Sequence, residues 1–238
     1  MSDNSTIQWT DTTWNPVTGC TKVSPGCDHC YAETFAERWR GISGHPFEQG
    51  FDLKLWPERI RNIAKWKKPR RVFVNSMSDL FHKDVSDKYI LDVFNAMMEA
   101  PQHTFQVLTK RPERMKRWVA RHSLGGDIPR HIWLGTSIES TDYGWRASDL
   151  RATLARTRFL SLEPLLGPIS KVILEGMNWV IVGGESGPGH RPMPLEWARK
   201  IRDDCKDLGI PFFFKQVGAF RPTEDAIPSD LRIREYPA

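Results

Sequence analysis

The chain has 238 residues, 39% of them hydrophobic and 26% charged, with a formal net charge of +5. That length suits one large domain or two small ones, and the composition excludes wholesale disorder. No apolar run approaches a membrane span, and the moderate basicity favours a polyanionic partner without requiring one.

In chain order, Thr13 to Asn15 reads as a short strand leading into a cysteine-bearing loop, and Tyr31 to Arg40 as the first helix. Residues 41–69 carry no clear period and read as an insertion. Arg71 to Asn75 is a β-branched and aromatic strand. Ser86 to Glu99 follows with helical spacing at Ile90, Leu91, Val93, Phe94, Met97 and Met98, and Ser86 is its expected N-cap. Thr104 to Leu108 is a strand, and Pro112 to Arg121 a helix with proline in its first turn. Next come a strand at His131 to Gly135 and a helix over about Tyr143 to Arg156. A strand at Arg158 to Leu162 leads into a connection broken by proline and glycine. Trp179 to Gly183 is a strand and Pro194 to Leu208 a helix stopped by Gly209. Pro211 to Lys215 is a last strand, and 221–238 reads as an irregular tail. Alternating strands and helices imply an α/β fold with a parallel sheet. About seven strands predict a single domain over 1–238, a complete or partial (β/α) barrel of the TIM type, with a doubly wound sheet as the competitor.

The N-terminus, Met-Ser-Asp-Asn-Ser-Thr, has no basic and apolar secretory signal, so a cytoplasmic location is expected. Thiols stay reduced there, and clustered cysteines then read as metal-binding or catalytic. Three of the four lie together, Cys20, Cys27 and Cys30, spaced Cys-x6-Cys-x2-Cys among turn-forming Gly19, Pro25 and Gly26. Three thiolates on a cubane [4Fe-4S] cluster would leave one iron open for oxygen and nitrogen atoms of a cofactor or substrate. The alternative is zinc, with His29 or Cys205 as fourth ligand.

The run Gly19-Cys20 to Gly26-Cys27-Asp28-His29-Cys30-Tyr31-Ala32-Glu33 resembles the cluster loop of the radical S-adenosylmethionine superfamily, nearest its photoproduct-lyase branch. Across the whole chain, Trp9-Thr10, Thr13 to Pro16, Ser161 to Pro168, Gly183 to Gly187 and Phe213 to Gln216 resemble a family of phage and bacterial proteins of unassigned function with a three-cysteine motif. The first cysteine gap is six residues rather than the superfamily's usual three. The Gly-Gly-Glu run follows a late strand rather than an early one. The resemblance implies a [4Fe-4S] cluster on Cys20, Cys27 and Cys30, with S-adenosylmethionine at its open iron and Tyr31 packed beside them. It also implies an electron donor, and hydrogen abstraction from a substrate such as a DNA or RNA base in repair or modification.

Barrel active sites lie at the C-terminal strand ends, and each predicted strand here ends in polar residues. Asn75, Ser76, Asp79, Ser137, Gly183, Gly184 and Glu185 are expected, with Tyr31, to bind the cofactor, and Lys215 and Glu163 are the catalytic candidates. Lys110 and Arg111 could bind phosphate or a carboxylate. The densest basic run, Lys65 to Arg71, and a second at Lys110 to Arg121 could contact nucleic-acid phosphates, with Trp66 or Trp118 stacking on bases. The competing reading is a zinc- or cluster-stabilised nucleic-acid-binding protein without redox catalysis. A third is a cluster enzyme that does not use this cofactor. No membrane partner is expected, and no partner protein is indicated.

Overall fold

The structure is a computed structural model and describes residues 5–122 and 128–238. Seven strands form one parallel sheet: β1 (Thr12–Trp14), β4 (Arg71–Val74), β5 (Thr104–Thr109), β6 (Ile132–Ser137), β7 (Arg158–Leu162), β8 (Trp179–Gly183) and β9 (Phe212–Gln216). They pair in that order without reversal and curl into a half-barrel, open between β1 and β9. A doubly wound sheet would reverse its strand order partway across, so that competitor is excluded. A separate two-stranded antiparallel ribbon pairs β2 (Val17–Thr18) with β3 (Lys54–Leu55).

Strand alternation sorts the side chains into two apolar groups. Outward-facing Val72, Val74, Phe105, Val107, Leu134, Leu160, Leu162, Val180, Val182 and Phe214 pack against the helices. Those helices are α3 (Asp87–Met98), α4 (Pro112–His122), α5 (Trp145–Arg151), α6 (Lys171–Leu174) and α7 (Leu195–Leu208). They follow α1 (Tyr31–Glu37) and α2 (Pro57–Ile60). Inward-facing Phe73, Phe159, Trp179, Ile181 and Phe213 join Trp9 in a second cluster with no helical member. Trp9 stands 4.5 Å from Phe73 and 6.2 Å from Trp179 between ring centroids, and Trp133 lies 5.6 Å from Trp179. These rings form an aromatic floor across the lower half of the barrel. Gly135 makes room for it, because a Cβ there would lie 2.5 Å from the Phe159 ring.

Local rules account for most boundaries. Ser86 caps α3 by accepting a hydrogen bond from the Tyr89 amide at 3.2 Å. Gly209 ends α7 in the left-handed conformation, φ +66°. The helix expected over Tyr143 to Arg156 is confined to α5, preceded by a 3-10 turn at Thr141–Tyr143. α1 stops three residues short of Arg40. The segment 41–69 supplies β3 and α2. Within 221–238, Ile233 accepts a bond from the Phe214 amide and Glu235 donates one to the Phe212 carbonyl, so the last residues lie along β9. Tyr236 then reaches the floor, 5.3 Å from Trp179, and its hydroxyl donates to the Gln8 carbonyl, bridging the seam at its lower end. No helix among the described residues is long and apolar enough to cross a membrane.

Candidate functional site

Above the floor, the C-terminal strand ends surround a cleft of about 730 Å³. Cys20, Cys27, Cys30, Tyr31, Asn75, Ser76, Asp79, Ser137, Glu163, Gly184, Glu185 and Lys215 all line it. Sequence-distant candidates therefore meet in one place, because parallel strands deliver their C-terminal ends to one rim. Gly183 is not part of the lining; a Cβ there would sit 3.2 Å from the Glu163 carboxyl carbon, so its small size serves packing under that side chain. Gly184 is likewise explained by the fold, since a Cβ would fall 2.2 Å from the Gly218 amide.

The cysteine loop is seated from three sides. At its start, Gly19 adopts φ +82° against the backbone of Asp52, and the Cys20 amide donates to the Phe51 carbonyl at 3.2 Å. Asp79, buried in the connection after β4, accepts bonds from Thr109 Oγ1 at 2.7 Å and Arg111 Nη1 at 2.8 Å. Arg111 in turn donates to Cys20 Sγ at 3.5 Å and to the Thr21 carbonyl at 2.9 Å. Burial and Asp79 push the Cys20 thiol up to about 11, with Arg111 pulling the other way. Burial also raises the Cys30 thiol, which sits at the N-cap of α1 where the Ala32 and Glu33 amides oppose the rise.

Glu139, just past β6, holds the middle of the loop. It accepts a bond from Ser24 Oγ at 2.7 Å and pairs with Lys110 at 3.2 Å and buried Arg146 at 3.0 Å. Gly26 lies so close that a Cβ would be 2.4 Å from the Glu139 side chain. Burial works against ionising Glu139, yet Lys110 and Arg146 hold its carboxyl below the usual range. Glu185, past β8, holds the far end. It accepts from the Arg191 amide at 2.9 Å and from its guanidinium, and contacts His29 Nδ1 at 3.0 Å. Burial opposes ionisation here too, but the Arg191 hydrogen bonds outweigh it and lower this carboxyl. Arg191 continues to the Pro25 carbonyl at 2.8 Å.

Several of the expected site residues have partners within the protein. Glu185 and Asp79 line the cleft, but their carboxylates are engaged in holding the cysteine loop and the rim. Lys110 is committed to Glu139. Tyr31 donates its hydroxyl to the Ser76 carbonyl, tying α1 to the end of β4. Asn75 sits in the left-handed region at φ +63°; its Oδ1 accepts from the Val17 amide, while its buried Nδ2 has no partner. Lys215 pairs with Glu163 across the inner wall, both partly buried. Sequence reasoning missed Arg191, Arg146 and Ser24, since nothing in their local sequence distinguishes them from ordinary surface residues.

The tryptophans expected to stack on bases are used elsewhere. Trp118 is buried with its indole nitrogen donating to the Asp87 carbonyl at 3.2 Å. Trp66 packs on the outer core and against the His103 ring. The Lys65 to Arg71 run precedes β4 and so lies at the opposite end of the sheet from the cleft. The tetrad of the alternative zinc reading is not assembled: among the described residues, no three His, Cys, Asp or Glu side chains group as one metal ion requires. Cys205 is buried in α7 on the outer layer, away from the other thiols. The remaining donors suit a larger group, with half-buried thiols on the rim and Asn75 Nδ2, Ser137, Ser161 and the Lys215–Glu163 pair below. The cleft volume lies within the range of about 300–1,000 Å³ typical of small-molecule sites.

Solved structures of spore photoproduct lyase share this half-barrel. A cysteine-to-serine mutant of that enzyme matches with TM-score 0.55 and 12% identity, covering 90% of this chain and 79% of that one. A tyrosine-to-phenylalanine mutant matches with TM-score 0.50 and 11% identity, covering 84% and 75%. At such identities the likeness is one of fold, a partial (β/α) barrel. No curated protein matches the chain. A family model described as "Protein of unknown function (DUF5131)" matches residues 4–234, and the chain belongs to that family.

Proposed function

We propose that the chain is an iron–sulfur enzyme of the radical S-adenosylmethionine type, acting on a substrate of nucleic-acid-base class. One observation carries the reading: three thiols on a single braced loop overhang the polar mouth of a half-barrel whose floor is sealed by aromatic rings. A cubane cluster takes its thiolates at separate corners, so it needs no convergence of ligands on one point. Cys20, Cys27 and Cys30 are the ligands in this reading, and Asn75, Ser76, Ser137 and Tyr31 are positioned to meet the cofactor. Bound there, cluster and cofactor supply one-electron chemistry for hydrogen abstraction.

The chain's own residues do the rest. Arg111 directs an N–H at the Cys20 sulfur and so offsets part of the burial that disfavours its thiolate. Glu139 and Glu185 fix where the loop sits. The Lys215–Glu163 pair presents a partly buried charge couple to the cleft. The aromatic floor excludes water from below. The likeness to spore photoproduct lyase in fold, and the cleft's mixture of apolar floor and polar wall, support a flat heterocyclic substrate.

Incubating reduced, anaerobically prepared protein with S-adenosylmethionine is expected to yield 5′-deoxyadenosine. Protein that retains its iron but produces none would exclude this cofactor and leave a cluster protein of another kind. A colourless protein holding one zinc would instead favour a nucleic-acid-binding role without redox chemistry.

A further inference from the structure

Residues 58–71 hold seven Lys and Arg against one acidic side chain, Glu58, a net of +6; since the whole chain is +5, everything else sums to −1. This segment alone thus carries more positive charge than the whole chain nets, and it lies outside the candidate site. It runs through α2 and a 3-10 turn at Ile63–Lys65 into β4, whose four residues separate it from Asn75 on the cleft rim by roughly 13 Å.

The segment's apolar and charged side chains face opposite ways. Ile63 is buried in the outer core, and Trp66 packs inward beneath Arg70, 5.1 Å from ring to guanidinium. The Trp66 carbonyl is pinned by Gln102 Nε2 at 3.2 Å and by His103 Nε2 at 3.1 Å. Lys65, Lys67 and Lys68 flank that pinned point, are exposed, and have no carboxylate partner among the described residues. Elsewhere surface cations are commonly paired, as in Lys22–Glu33, Lys88–Asp92, Lys171–Asp207 and Arg199–Asp230. Arg61 is exposed too, but borders Asp92 and Glu99 across a shallow groove. Arg130, exposed just ahead of β6, lies at the same end of the sheet.

We propose that this surface is a docking site for the phosphate backbone of nucleic acid, independent of base sequence and separate from the cleft. Charge alone suffices for such a partner. An acidic protein would need apolar anchors for its affinity, and this segment has turned its own inward. An anionic membrane needs a second, apolar or lipid, signal beside a basic patch. The proposal stands on charge placement and survives if the cluster reading fails.

The test measures binding of the whole protein to a labelled duplex DNA of mixed sequence, and to its single strand, across a salt series. Duplex affinity is expected to fall with salt at a log–log slope of about −3 to −5, and Lys65→Gln/Lys67→Gln/Lys68→Gln to flatten that slope by about 3. Affinity at low salt should drop about tenfold or more in the same variant. The corresponding triple arginine variant is expected to keep the slope, and the melting temperature of each variant reports whether it folds. An unchanged slope in the folded glutamine variant overturns the proposal. So does capture by phosphatidylserine vesicles with no binding to either form of DNA.

Discussion

Replacing Cys30 with alanine is expected to strip the iron from anaerobically prepared protein, from about four atoms per chain toward none, with loss of its brown colour. Cys30 closes the loop at the N-cap of α1, and no other thiol is near enough to substitute, because Cys205 is buried in α7. Cys205→Ala is the control: it removes a thiol from the outer core and should leave the iron in place. Serine at position 30 would not rescue, since a hydroxyl is a poor replacement for a thiolate on iron. Full iron occupancy in Cys30→Ala would refute the ligand assignment.

The second large effect falls on Glu139. Its carboxylate serves Arg146, which is 1% exposed, together with Lys110 and the Ser24 hydroxyl of the cysteine loop. Glu139→Gln keeps the shape and removes the charge, leaving a buried guanidinium without its counterion. Breaking such a pair typically costs about 3–5 kcal/mol, and urea unfolding should show a loss of that order. Adding Arg146→Met removes the stranded charge, and the double variant is expected to regain much of the stability. It should still lose iron faster than the parent on exposure to a chelator, because the Ser24 hydroxyl then bonds a neutral amide oxygen in place of a carboxylate. A change below about 1 kcal/mol in Glu139→Gln would mean that solvent already screens the pair.

Much of the fold was legible in the residues. Strands such as Arg158–Leu162 and Trp179–Gly183 are short, largely apolar runs with no competing period, and Ser86 and Gly209 mark helix ends by mechanisms local to the chain. The meeting of Asn75, Ser137, Glu163 and Lys215 with the cysteines followed from one topological rule, that parallel strands share a rim. Legibility ended where roles depend on long-range partners. Glu185 is poised like a ligand residue in sequence, yet Arg191 and His29 occupy it. Trp66 and Trp118 stand beside basic residues, but a helical or pinned backbone turns their rings inward. The bend that breaks the helix predicted from Tyr143 onward lies at Ala152, where Thr153 turns back to bond the Leu150 and Asp149 carbonyls.

The central claim is that one N-terminal loop presents sulfur to an inorganic cluster above the barrel mouth. Iron, acid-labile sulfide and zinc should be counted together in native protein purified without oxygen. About four irons with matching sulfide per chain is the predicted result; a single zinc, or no metal after reconstitution with iron and sulfide, would contradict it.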